Sequence, residues 1–200
     1  MSTGTDKAWD LLLEREPSHV CRDALCRHDP ERGCYTLVSM GMEFHLFPAT
    51  RSMTGSGNEA GELHRRLGLY LEHCLVWYLA SARGAGRTGR LVRPSSLRGG
   101  HHFFTQGTHV LPLDELASMY GSDAYAFMDR GLGLGGARAD YADAAVELLP
   151  LPRVPVMLLL WLGDREYPAR ADLLFDSSAD HQAPLDVLWA AAMLAVRAML

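Results

Sequence analysis

The sequence predicts an α+β fold in one domain, an antiparallel or mixed sheet packed against helices, on three observations. A 24-residue stretch, 59–82, repeats apolar residues every three or four positions (Leu63, Leu67, Tyr70, Leu71, Cys74, Leu75, Tyr78, Leu79), which is the stripe of a core-facing helix. Residues 154–162 form a nearly continuous apolar run that suits a strand buried on both faces, and 169–175 is placed to pair with it. Strands and helices do not alternate strictly, which argues against a doubly wound parallel sheet. Neither an internal repeat nor a Pro/Ser-rich linker divides residues 1–200, so they read as a single globular domain, with a helical segment at 1–33 ahead of a core at 34–200.

In order along the chain, Trp9, Leu12 and Leu13 mark a first helix. Pro17 interrupts it, and "SHVCRDALCRH" begins a second, with Ser18 as its expected N-cap. "CYTLVSMGMEFHLF", 34–47, alternates loosely around Gly41 and reads as a hairpin or bulged strand. "TRSMTGSGNE" reads as a polar turn, with Asn58 expected to cap the long helix, and the glycines of "RGAGRTGRL" terminate that helix. The stretch 91–111 reads as a long surface loop with one or two short strands. Two helices split by Gly121 follow, then strands at 145–149, 154–162 and 169–175 and a buried terminal helix at 185–200.

Bulk composition narrows the function classes. A chain of 200 residues buries roughly 70% of the surface its unfolded form exposes, so it needs neither disulfides nor a structural metal to fold. Net charge is -5, with 19 basic and 24 acidic residues and no long basic run, which disfavours nucleic acid as a partner. The amino terminus lacks the layout of a secretory signal and no segment reaches the length of a membrane span, so a cytoplasmic protein with free thiols is expected.

Four patches carry candidate chemistry. Cys21, Cys26, His28 and Cys34 fall close together and are candidate metal ligands, although the C-x4-C-x7-C spacing lacks paired CxxC knuckles. In "GGHHFF", Gly99 and Gly100 let backbone approach a ligand, while His101 and His102 are candidates for proton transfer or catalysis. "GLGLGG", 131–136, follows a helix instead of a buried strand and so reads as a helix terminus, not a phosphate loop. In the hairpin 161–181, Asp164 and Glu166 stand at a six-residue tip, Asp172 and Asp176 fall on one face of the returning strand, and Asp180 and His181 follow its end. Such paired carboxylates serve acid/base or divalent-metal chemistry, or else stabilise a turn and a cap.

The wording of "LPRVPVMLLLWLGDREYPARADLLFDSSA", of "GLGGARADYADAAVELLP" and of "LGLYLEHCLVWYLASARG" with "TGRLVRPSSLRGG" resembles the uncharacterised domain-of-unknown-function family 3786, from about Cys34 to the end. The resemblance implies a setting in anaerobic metabolism beside iron–sulfur or corrinoid methyl-transfer chemistry, and so an iron–sulfur or corrinoid protein partner. Some members carry a four-cysteine iron–sulfur module that this chain lacks. Residues that match the family's wording, and are candidates on that ground, are Arg153, Trp161, Asp164, Glu166 and Asp176. Arg153 and Trp161 join Gly99 and Gly100 as candidates for binding a cofactor whose identity the sequence leaves open.

Three functions follow as expectations. The first is a binding or accessory protein whose histidine loop and acidic hairpin shape a cleft for a small organic cofactor or a redox partner. A second is a metal-dependent enzyme using Asp164, Glu166, Asp176 and one of His101 or His102. The third is an interaction module that recognises another protein through 91–111 and takes no small ligand.

Overall fold

Residues 4–105 and 109–200 are described by the computed structural model. Two helices open the chain, α1 (Gly4–Glu14) and α2 (Pro17–Ala24). Trp9 and Leu12 of α1 are buried, whereas Leu13 is 54% exposed, so the apolar stripe is narrower than its composition suggests. Pro17 occupies the first turn of α2, where its missing N–H costs nothing, and the cap is Glu16 instead of Ser18: its carboxylate accepts from the Ser18 and His19 amides.

A four-stranded antiparallel meander follows: β1 (Arg27–Asp29), β2 (Cys34–Ser39), β3 (Met42–Phe47) and β4 (Ser52–Gly55). The β2–β3 connection is a two-residue turn in which Met40 and Gly41 both have positive φ, 52° and 73°, the conformation that matches strand twist in a tight hairpin. β4 lies inside the stretch read as a polar turn. Its serine and threonine hide the signal, since only Met53 is buried.

The long helix α3 (Gly57–Ser81) buries Leu63, Leu67, Leu71, Cys74, Leu75, Tyr78 and Leu79, as its periodicity predicts. Its N-cap is Ser56 rather than Asn58, and it bends at Leu67, just before Gly68. Between α3 and the second sheet, the segment 91–111 holds a two-residue strand β5 (Leu91–Val92), a 3-10 turn at Pro94–Ser96 and a short helix α4 (Gly100–Thr105). Next come α5 (Leu113–Tyr120) and α6 (Ala124–Gly133), split by Gly121 as read.

The second sheet has the order β5-β9-β8-β7-β6, all neighbours antiparallel, from β6 (Ala137–Arg138), β7 (Ala144–Leu151), β8 (Val154–Trp161) and β9 (Arg170–Asp176). The strands therefore form two sheets, where one was expected from the segments 34–47, 145–149, 154–162 and 169–175. Alternation identifies a strand but not its partner: 34–47 is flanked by β1 and β4, and meets β7 end-on, where the Met40 N–H donates to the Leu149 carbonyl at 2.8 Å. Seven of the eight residues of β8 are buried, the central-strand pattern read from its sequence.

After the short helix α7 (Ala179–Gln182), α8 (Leu185–Met199) closes the chain and lies against α3 and the inner face of β7 and β8. Eleven of its residues are buried, among them Val187, Leu188, Leu194 and Val196 at 0% exposure. At about 1.5–3 kcal/mol for each large apolar side chain taken out of water, this helix is a principal source of the core's stability. One apolar cluster runs from α1 through both sheets to α8, while Ala145, Met157 and Leu159 form a smaller one on the outer face of the second sheet. Among the described residues, no helix is long and apolar enough to cross a membrane.

Candidate functional site

The acidic hairpin does not bring Asp164 and Asp176 together. Asp164 sits at the tip and Asp176 at the far end of the seven-residue β9, so about 20 Å of strand separates them at roughly 3.3 Å per residue. Each is occupied locally. Asp164 accepts the Glu166 and Tyr167 amides at 2.8 Å each, and these bonds hold its carboxyl below the usual range. Glu166 is exposed. Asp176, 3% exposed, accepts from Thr88 N (3.0 Å), Thr88 Oγ1 (2.9 Å), Gly89 N (2.7 Å), Ser178 N (2.9 Å) and Ser178 Oγ (2.6 Å). Burial alone would raise its pKa; the hydrogen bonds outweigh burial and hold it well below the normal carboxylate value. It pins the segment after α3 to the end of β9.

The residues of the histidine segment are dispersed in the same way. His101 and His102 lie exposed in α4, their rings 5.6 Å apart and edge to face, while His109 stacks on Phe103 at 4.0 Å and meets Trp189 edge-on. The two glycines serve packing. A Cβ on Gly100 would stand 2.1 Å from the Pro94 carbonyl oxygen, and Gly99, at φ 77°, has Leu185 at 3.3 Å. The close approach is to the protein's own backbone. Trp161 carries the Arg170 guanidinium 4.0 Å above its ring, a cross-strand pair, and Arg153 donates from Nε to the Asp23 carbonyl (2.7 Å) and from Nη2 to that of Arg22 (3.1 Å). Arg153 therefore ties the β7–β8 turn to the last carbonyls of α2.

Chemistry converges instead at the seam where the first sheet meets the α2 terminus and β7. A cleft of about 360 Å³ opens there. Leu25, Cys26 and Arg27 line it from the α2–β1 junction, Thr36, Leu37 and Val38 from β2, and Gly41 and Glu43 from the β2–β3 hairpin. Gly135, Leu149 and Pro152 complete it from the opposite side. Arg27 Nη2 donates to Glu43 Oε2 at 2.5 Å. Glu43 Oε1 lies 3.8 Å from His45 Nε2, and His45 Nδ1 is 2.9 Å from Thr36 Oγ1. We assign the hydroxyl as donor to Nδ1, which leaves the Nε2 proton facing the carboxylate. Arg27, Glu43, His45 and Thr36 thus form one polar chain along the outer face of the hairpin, with Leu37 and Leu149 beside it.

None of these four residues was singled out from sequence. The signal exists, however: a two-residue turn at Met40-Gly41 sets Ser39 opposite Met42, hence Val38 opposite Glu43 and Thr36 opposite His45. Whether 34–47 is a hairpin or a bulged strand decides this register.

Of the expected metal ligands, the structure brings Cys21 and Cys26 together and leaves the others apart. His28 packs on Tyr35, ring centroids 4.8 Å apart, and Cys34 is fully buried. Among the described residues, no three His, Cys, Asp or Glu side chains form a group that suits a metal, so the four-ligand set is not assembled. All four cysteines are free thiols. Burial, and after it the neighbouring Cys21, pushes the Cys26 thiol far up; burial followed by both cysteines pushes the Tyr35 phenol up to about 12.

A larger depression of about 670 Å³ lies between α3 and α6. Its cations are committed elsewhere: Arg66 donates to the Arg197 carbonyl (2.8 Å), Arg130 donates to that of Ala198 (3.0 and 2.6 Å), and Arg65 pairs with Glu62. Arg66 and Arg130 neutralise the C-terminal end of α8.

Fold and cleft define an α+β protein with a small polar-and-apolar cleft between a hairpin and a second sheet. The chain belongs to the family described as Domain of unknown function (DUF3786), whose model matches residues 16–198. The match takes in α2 and β1, ahead of Cys34 where the wording first resembled the family. None of the curated proteins and none of the solved structures matches the chain.

Proposed function

We propose that this chain is a binding or accessory protein whose ligand is a small organic anion held in the seam cleft. The observation that carries the reading is the Arg27–Glu43 pair at 2.5 Å on the wall of a 360 Å³ cleft with apolar neighbours. Small-ligand sites are clefts of about 300–1,000 Å³, mostly apolar, with a few placed polar groups. Arg27 is largely exposed and uses Nη2 on Glu43, so its remaining N–H donors are available to a carboxylate or phosphate. His45 lies 3.8 Å from the Glu43 carboxylate and is itself hydrogen-bonded to Thr36 across the hairpin.

From the family resemblance we further propose that the ligand or partner belongs to iron–sulfur or corrinoid chemistry of anaerobic metabolism, in the cytoplasm. The acidic hairpin is not part of the proposed site, because its carboxylates are apart and bonded to backbone.

The test is a thermal-shift and native mass spectrometry screen of small carboxylates and phosphate esters against wild type, Arg27→Lys and Arg27→Ala. Binding by wild type that is weakened at least tenfold in Arg27→Ala and partly kept in Arg27→Lys supports the site. Ligands that bind Arg27→Ala as tightly as wild type, or a screen without binders, overturns it.

A further inference from the structure

The end of α2 sets two thiols side by side. Leu25 takes the left-handed conformation, φ 54° and ψ 48°, and its N–H donates to the Cys21 carbonyl. The Cys26 N–H donates to the same carbonyl at 3.2 Å. This closure folds the residue two places beyond the helix back over the last helical turn, where an apolar contact commonly forms. Here both positions are cysteines, so the closure sets the Cys26 side chain beside that of Cys21 across one turn. Both are half-buried and pack against the main core, so solvent reaches them, whereas Cys34 and Cys74 are fully buried.

We propose that Cys21 and Cys26 are a redox-active dithiol that closes to an intramolecular disulfide by exchange with a low-molecular-weight disulfide. The geometry supplies what exchange needs. A disulfide requires Cβ atoms about 3.5–4.5 Å apart, and two residues whose backbones are bonded across one turn, as Cys26 N–H is to the Cys21 carbonyl, need little backbone movement to reach that. In the first step the Cys21 thiolate attacks one sulfur of the reagent, forming a mixed disulfide and releasing one thiol. In the second, the Cys26 sulfur attacks Cys21 in that mixed disulfide and releases the other. Two electrons pass from the dithiol to the reagent, and the two thiol protons end on the two released thiols.

The inference does not rest on the anion-binding reading, but the two meet, because Cys26 lines the seam cleft.

The experiment is anaerobic equilibration of the reduced full chain in buffers of increasing oxidised-to-reduced glutathione ratio, acid-quenched, then analysed by intact mass and by peptide mapping after alkylation. The expected result is loss of two hydrogens, with Cys21 and Cys26 in one cross-linked peptide and Cys34 and Cys74 still reduced. Cys26→Ser should instead accumulate a glutathione adduct on Cys21. Wild type that keeps both thiols alkylatable at the most oxidising ratio overturns the proposal, as does a stable adduct on Cys21 in wild type. Failure of anion binding in the screen above leaves this readout unaffected.

Discussion

Gly41 and Gly135 touch backbone to backbone across the seam between the two sheets. A Cβ built on Gly41 would stand 2.9 Å from the Gly135 Cα, and one on Gly135 would stand 2.5 Å from the Gly41 Cα. Both residues have positive φ, 73° and 72°, so each is glycine for two independent reasons. Ser39 reinforces the joint, its Oγ donating to the Pro150 carbonyl at 2.7 Å.

Gly135→Ala should therefore destabilise the protein by about 2–4 kcal/mol, combining backbone strain with a displaced hairpin. Denaturant unfolding measures it. A loss below about 0.5 kcal/mol would show that the seam gives way freely.

Asp176 sets a pH dependence. Its carboxyl titrates near 3.9 in the unfolded chain and well below that when folded. Its contribution is therefore complete above the unfolded value and lost as pH falls toward the folded one. Asp176→Asn should cost about 2–3 kcal/mol at pH 7 and flatten the stability profile between about pH 5 and pH 2. Urea unfolding across that range is the check, and an unchanged slope would remove Asp176 as its source.

Arg153 ties the β7–β8 turn to the final carbonyls of α2. Arg153→Met removes two donors from the final carbonyls of α2 and should lower stability by about 1–2 kcal/mol while leaving anion affinity within twofold. Calorimetric binding on the folded variant decides it; a selective loss of affinity would return Arg153 to the site.

Gly100→Ala tests the other glycine reading. With the new methyl 2.1 Å from the Pro94 oxygen, the 3-10 turn and α4 must separate, at a cost of about 1–3 kcal/mol. Unfolding of a variant as stable as wild type would mean that the close approach serves something other than packing.

Most of the fold was legible because its long elements carry strong periods. The stripe of α3, the apolar run of β8 and the buried α8 each repeat their signal over many residues. The short strands β1, β4 and β6 were not found, since two to four residues cannot establish a period. The surroundings of the candidate residues were not legible. Asp164, Asp176, Gly99 and Gly100 stand out in the sequence by residue type, and only the structure shows the hydrogen bonds and close contacts that each makes within the protein.

The sequence by itself determined the α+β class and the positions of the long helices and central strands, because these follow from local periodicity and turn chemistry. Only the tertiary structure decided that the strands divide into two sheets, that Asp164 and Asp176 lie at opposite ends of β9, and that Arg27, Glu43, His45 and Thr36 meet beside a cleft. Those relationships depend on register and on which surfaces pack together, and both are settled by burial of the whole core rather than by neighbours along the chain.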